Sequence, residues 1–361
     1  MELSAGNRDI NAKGKGKGMD DILKERDLNI AYSANERMLD VKEFPESNIE
    51  EFCNWHESLN MSIVQLDAGV FKSDTCLIDL HDTFLAKNGS NLRYFSTGMM
   101  PGYIRFSFPL NVQGPLFTGK SSYCKGKLIT YSNEADTCSC AVMPEDFQQI
   151  IVGIKIDALS NYLSSKEIGS LLDAVNSDNE IVVESYYGEM TTYFMHHIHK
   201  KLLGIYKDTP DKKVFVDQYS RLVILYLSEY ISNNRKKIEA TRDISSYERI
   251  LGRGLHYMML EKGVPISLEK LSTGIYSSKR SIQYAFSELI NMTPMEFSRL
   301  ARLSAVRSEL FSINGSGETV SDILLKYNIN NSGRFRHEYF NFFGEFPKDT
   351  FNGGARHFRS H

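Results

Sequence analysis

Arg280, Gln283 and Tyr284 stand in the stretch SSKRSIQYAF at spacings that put three hydrogen-bonding side chains on one side of a helix. A guanidinium and a carboxamide can each offer two hydrogen bonds in one plane, the geometry that reads a guanine or adenine edge in a major groove. Ile282, Phe286 and Leu289 take the other side, an apolar stripe for a core. Nearer the C-terminus, in NNSGRFRHEYFNFFGEFP (330–347), Phe335, Tyr339, Phe342 and Phe343 fall at i, i+4, i+7 and i+8 and form a second stripe. Gly333, Arg336 and His337 form the opposite face of that helix. Either segment alone reads as an amphipathic helix with a solvated basic side; finding it twice favours a binding surface.

Each polar helix needs elements to position it. ISLEKLSTGIYSSKRSIQYAFSELINMTPMEF and TVSDILLKYNINNSGRFRHEYFNFFGEFP both read as a short helix, a turn, a second helix and a following Pro, an imperfect internal repeat. Ser277 is placed to cap the second helix of the first unit. One long helix over about Met295 to Ser312 joins the units. If it separates them by about one turn of DNA, ~34 Å, both polar faces enter successive major grooves on one side of a duplex.

These residues resemble the AraC/XylS family of bacterial transcription regulators over about Ser246 to Phe351. The resemblance rests on SSKRSIQYAF, on the TP of NMTPMEF, on ARLSAVRSEL and on the SGRFRHEYFNFFGEFP run. GRF, EY and FFGEFP, with QLDAGVF and FSFPLNVQGPLFTG in the first domain, are most similar to the branch that includes ethanolamine-operon regulators. The resemblance implies an all-α double helix-turn-helix domain over 247–361 that binds double-stranded DNA. It assigns base-facing roles to Arg280, Gln283, Tyr284, Ser332, Arg336 and His337, and phosphate-facing roles to Ser278, Lys279 and Arg334, with Gly333 on the same face. It further implies an activator that meets RNA polymerase in a bacterial cytoplasm, controlled by a small-molecule effector or by dimerisation through its first domain. The sequence departs from the family pattern at three places. Tyr276 and Asn328 stand where the turns usually hold a Gly able to take φ > 0, a backbone that Asn tolerates better than Tyr. Leu324 stands where an Ala is usual, which would tilt or weaken the second unit.

Upstream, the short strand-like runs SIVQL, NLRYFSTG, GYIRFSFPL, KLITYS and QQIIVGIKI, separated by turn residues, predict an antiparallel cupin-like barrel or sandwich over 21–165, an α+β chain overall. GPLFTG, 114–119, reads as a tight turn between two strands. Tyr94, Phe95, Tyr103, Phe106 and Phe108 are the aromatic candidates for an effector pocket there, although alternation lets only some face inward. Helical periodicity takes over across 166–232. VFVDQYSRLVILYLSEYI, with Phe215, Tyr219, Leu222, Val223, Tyr226 and Tyr230, is apolar on more than one face, as in a helix packed on its own domain and on a second subunit. Residues 233–246 read as a polar linker. Residues 1–20, with KGKGKG at 13–18, read as a disordered basic arm.

At 361 residues the chain is long enough for two domains, and 42% hydrophobic residues suffice for real cores. The net charge of −3 hides an asymmetry: from Ser246 onward 15 Lys and Arg face 11 Asp and Glu, which leaves −7 for the rest. Five Cys, an odd number, argue against a secreted disulfide framework. No run approaches the ~20 apolar residues of a membrane span.

Catalysis finds little foothold. The strand region offers only His81, with His56 before it, too few for a metal cupin. Cys138 and Cys140 share a strand face and read as small buried residues rather than a metal site. His196 and His199 in HHIH are one helical turn apart without a third ligand, and read as a solvated face. No phosphate loop, dinucleotide fingerprint or nucleophile elbow is present, and no cofactor or metal is expected. The rival reading to a DNA-binding regulator is an interaction protein whose helix-turn-helix region has decayed, with Tyr276 and Leu324 as its signs. An enzyme with a DNA-targeting tail is a third class.

Overall fold

A computed structural model describes residues 37–57, 60–98, 100–111, 116–118, 121–123, 129–131, 140–178, 185–208, 213–238, 246–261, 264–312, 318–329 and 332–357. The basic arm at 1–20, residues 112–115 and Cys138 lie outside these residues; of the turn expected over 114–119, Leu116–Thr118 are a paired strand instead. Residues 36–361 form one compact unit.

The first part is built of antiparallel strands and one helix: β1 (Arg37–Met38), β2 (Asp40–Ser47), α1 (Ile49–Glu57), β3 (Met61–Gln65), β4 (Ser73–Asp79), β5 (Thr83–Ser90), β6 (Tyr94–Gly98), β7 (Tyr103–Asn111), β8 (Leu116–Thr118), β9 (Ser121–Tyr123), β10 (Ile129–Tyr131), β11 (Cys140–Met143) and β12 (Phe147–Lys155). Six strands pair in the order β10-β7-β12-β5-β4-β2, and five in the order β3-β6-β11-β8-β9. Three helices follow, α2 (Ser165–Asp178), α3 (Ser185–Asp208) and α4 (Val216–Ile238), with a short β13 (Lys213–Val214) that pairs with β1. Because α4 runs to Ile238, the expected linker is helical in its first residues; 239–245 lie outside the described ones.

Side-chain alternation sorts the six-stranded sheet into two faces. Ile104, Phe106, Phe108, Ile150, Val152 and Ile154 point to one side and form a single core with Met195, Leu202, Val223, Ile224 and Leu227 of α3 and α4. The other face carries Leu77, Phe84, Ala86 and Ile151, and alternation puts Thr75, Asn88, Arg105, Ser107 and Gln149 there too. Thr75 and Gln149 flank Asn88 on neighbouring strands, and Ser107 donates to the Gln149 carbonyl. Gly153 is on this face because a Cβ would lie 2.0 Å from the Phe84 ring.

The chain then continues as α5 (Ser246–Leu260), α6 (Leu268–Gly274), α7 (Lys279–Ile290), α8 (Pro294–Ser312), α9 (Val320–Lys326), α10 (Ser332–Phe343) and α11 (Pro347–His357). Their core does not close on itself. Val64, Leu66, Phe95, Phe117, Cys140 and Val142, from the outer face of the five-stranded sheet, share one cluster with Leu255, Phe286, Phe297, Leu310, Ile323 and Tyr339 of these helices. Phe95 meets Phe297 edge to face at 5.1 Å between ring centres. Further along α8, Arg307, 9% exposed, pairs with the buried Glu50 of α1 and, at 2.8 Å, with Glu345. Burial works against the Arg307 charge, but Tyr339 and the two carboxylates hold its pKa above the ordinary value. No helix among the described residues is long and apolar enough to cross a membrane.

Candidate nucleic-acid interface

The first unit is α6, a turn and α7. Ser267 caps α6 by accepting from Lys270 N–H at 3.1 Å. α7 is capped by Ser278, not Ser277: the Ser278 hydroxyl accepts from Ser281 N–H at 3.1 Å. The cap falls one residue later because Ser277 serves the turn, where its hydroxyl donates to the Ile275 carbonyl and its own carbonyl accepts from Ser272. Tyr276 holds φ +53°, the backbone usually left to Gly, and its ring is 90% exposed. Ile282, Ala285 and Phe286 are fully buried, and Phe286 lies so close to α5 that a Cβ on Gly254 would come within 2.9 Å of it.

Opposite that stripe, Lys279, Arg280, Gln283 and Tyr284 are exposed along one side of α7. Lys279 is paired with Glu269 of α6, and the bond from Lys279 holds the Glu269 carboxyl below its usual range. Such an exposed pair is weak and exchanges readily for a phosphate. Tyr284 leans on Tyr247 of α5, ring centres 4.7 Å apart, which fixes the direction of its hydroxyl.

The second unit repeats the plan. Thr319 caps α9 in a reciprocal box with Asp322, and Asn328 takes φ +56° in the turn. Leu324 is buried in the common core, so the larger side chain is accommodated there. On α10 Phe335, Tyr339, Phe342 and Phe343 are buried as the spacing requires, while Gly333, Arg334, Arg336 and His337 are exposed. Ser332 begins the helix; its side chain is outside the description.

One feature escaped the sequence reading. Arg299 and Arg302 of α8 face Arg334, His337 and Asn341 of α10 across an open cleft of about 830 Å³. Arg299 is tied to Glu338 at 2.8 Å, which aims it into this groove. Three arginines, Arg299, Arg302 and Arg334, around one concave surface suit an anionic backbone. The i, i+3 spacing of Arg299 and Arg302 was visible in SRLARL; which way it faced was not.

The aromatic effector pocket does not form. Phe106 and Phe108 face α3 and α4, Phe95 faces the helix-turn-helix core, Tyr94 packs with Phe52 and Phe71 between the sheets, and Tyr103 lies beside Phe84. Alternation divides β7 between its two faces and sends Phe95 and Tyr94 to opposite sides of β6. The inter-sheet face is polar instead: neither amide atom of buried Asn88, nor the Thr75 hydroxyl, has a hydrogen-bond partner among the described residues. The HHIH motif is also corrected, because His199 is buried, with Nε2 3.1 Å from the Cys76 carbonyl. His56 is buried too, its Nδ1 2.7 Å from the Phe52 carbonyl. No group of three or more metal-binding side chains occurs among the described residues.

Residues 271–353 match the helix-turn-helix domain family. The chain is 28% identical over 136 residues to the XylDLEGF operon transcriptional activator 3 of Pseudomonas putida, covering 37% of this chain and 39% of that protein. It is 28% identical over the same length to XylDLEGF operon transcriptional activator 2 of that organism, covering 83% of it, and 25% identical over 100 residues to a probable thc operon regulatory protein of Rhodococcus erythropolis. The match thus spans about two-fifths of the first of these relatives. Among solved structures, the AraC-like transcriptional activator CuxR aligns over 80% of this chain and all of its own, at 14% identity and a TM-score of 0.40.

Proposed function

We propose that this chain is a sequence-specific DNA-binding transcription regulator of the AraC/XylS type, not an enzyme. The observation that carries this reading is a pair of helix-turn-helix units, each with an apolar stripe buried and an Arg-bearing face exposed. In the first unit Arg280 and Gln283 read bases, and Lys279 and the Ser278 end of α7 meet phosphate. In the second, Arg336 and His337 read bases from α10 while Arg299, Arg302 and Arg334 hold the backbone. Tyr276 and Asn328 keep the positive φ that both turns need, which favours this reading over a decayed domain kept for protein contacts.

The finer parts of the proposal are activation of transcription through RNA polymerase, self-association through the helices of 166–232, and control by a small effector. The polar face around Asn88, Arg105 and Gln149 is the better place for such an effector than the aromatic set. Placement in the ethanolamine-operon branch belongs to the same proposal and rests on GRF, EY and FFGEFP in the helical part with QLDAGVF and FSFPLNVQGPLFTG in the first domain.

The test is selection of DNA from a random library by the intact protein beside an Arg280→Ala, Gln283→Ala variant. A discrete motif in the wild type should weaken by about 1–3 kcal/mol for each lost base contact. Selection of the same motif by the variant would remove α7 from base reading.

A further inference from the structure

The last carbonyls of a helix have no donor within it. In α7 and α10 two of these carbonyls are satisfied by the first domain, and by one small part of it. Arg93 Nη1 donates to the Ile290 carbonyl at the end of α7, 3.2 Å away. The Gly69 N–H donates to the Phe342 carbonyl at the end of α10, 2.8 Å away. Gly69 and Arg93 belong to a single stitched turn. Arg93 grips Asp67 through Nε at 2.9 Å and Nη2 at 2.6 Å, and its own N–H donates to the same carboxylate. Buried Gln65 donates from Nε2 to the Asp67 and Gly69 carbonyls, at 2.7 and 3.0 Å, while Asn91 ties the turn at Val70 and Lys72. Gly69 stands at φ +131°, where a side chain would be strained. The Arg93 cation lies at the negative end of the α7 dipole, which favours the contact.

Both helices therefore end on the same bracket, and the faces that carry Arg280 and Arg336 remain exposed. We infer that the turn Gln65–Gly69 with Arg93 sets the separation and angle of the two recognition helices, so the first domain fixes which spacing between two DNA half-sites the protein accepts. Arg93 and Gly69 are positioning residues here, since they touch no base. The inference rests on the proposal that α7 and α10 both read DNA.

The experiment uses the full chain. Its DNA site is first selected from a random library, and affinities are then measured for that site with one to five base pairs inserted between its halves. Arg93→Met keeps the aliphatic stem and removes the donors. The wild type should prefer its own spacing strongly, and in Arg93→Met that preference should shrink about tenfold, the scale of a charged hydrogen bond. Mismatch penalties within each half-site should stay as they were. Arg93→Lys, which retains the charge beside Asp67 but not the fork, should shift the preference the same way and serves if Arg93→Met does not fold. An unchanged spacing preference in a folded variant overturns the inference alone. A wild type that selects no two-part site overturns the reading of the recognition helices and the bracket together.

Discussion

His56 shows how a residue type can mislead about chemistry. Its imidazole is fully buried between Phe52 and Trp55 and bonded to the Phe52 carbonyl. Burial pushes its pKa down to about 3, against the bond to Phe52, and the Arg105 charge adds to the fall. The folded protein keeps this ring neutral where the unfolded chain binds a proton. Its contribution to stability is complete above pH 6.5, the ordinary value, and declines as pH drops toward 3, by at most about 1.4 kcal/mol per pH unit. His56→Gln should flatten the acid side of a plot of melting temperature against pH; an unaltered slope would mean that His56 is not buried neutral. His199, whose pKa burial also lowers, leaves part of the slope in place. At this scale the sequence was informative where spacing alone decides exposure, as for Arg280, Gln283 and Arg336. It misjudged His199 because a helix packed on a sheet buries polar residues that only a partner strand can satisfy.

Elements were legible in proportion to how one-sided they are. α7 and α10 have one buried stripe and one polar face, and the 3.6-residue period located both. The strands of the six-stranded sheet are covered on one face by α3 and α4 and turned inward on the other, so β7 reads as a nearly continuous apolar run. Nothing in GYIRFSFPL says which face holds Phe106 and which Arg105. That is why the aromatic pocket was expected and why it is absent. β2, β4, β5 and α1 carry little signal for a related reason: Lys, Asp, Asn and Glu are spread through them and mask the periodicity. Helix caps are the other local signal, and that of α9 has a measurable worth. In Thr319→Ala the hydroxyl that accepts from the Asp322 N–H is lost while the backbone N–H at 319 can still donate to the Asp322 carboxylate, and losing that half of the capping box should cost about 1 kcal/mol in urea denaturation. A loss near zero would show that packing of Ile323 and Leu324 alone holds α9.

At the scale of the whole molecule, the strand-rich part and the helix-turn-helix part are tied into one body. The five-stranded sheet and the helix-turn-helix units bury one common core, with Arg307 and Glu50 paired at its edge. Residues this far apart in sequence give no local sign of their contact. Circular dichroism bands for strand and helix should therefore fall together in one unfolding transition. Arg307→Met should lower its midpoint by the equivalent of about 3–5 kcal/mol, because Glu50 is left charged and buried. Adding Glu50→Gln should recover much of that loss; a double variant as unstable as the sum of the two single ones would show that the pair is not coupled.

The same core has a consequence in time. A ribosome makes Phe95 about 200 residues before Phe297, so at ~5–20 residues per second the outer face of the five-stranded sheet waits roughly 10–40 s for the ring that covers it. Through that interval Val64, Phe95 and Val142 form a sticky apolar surface on a nascent chain. Yield in the cell should then depend on holding chaperones and on the pace of translation through the second half of the message, before any DNA is met.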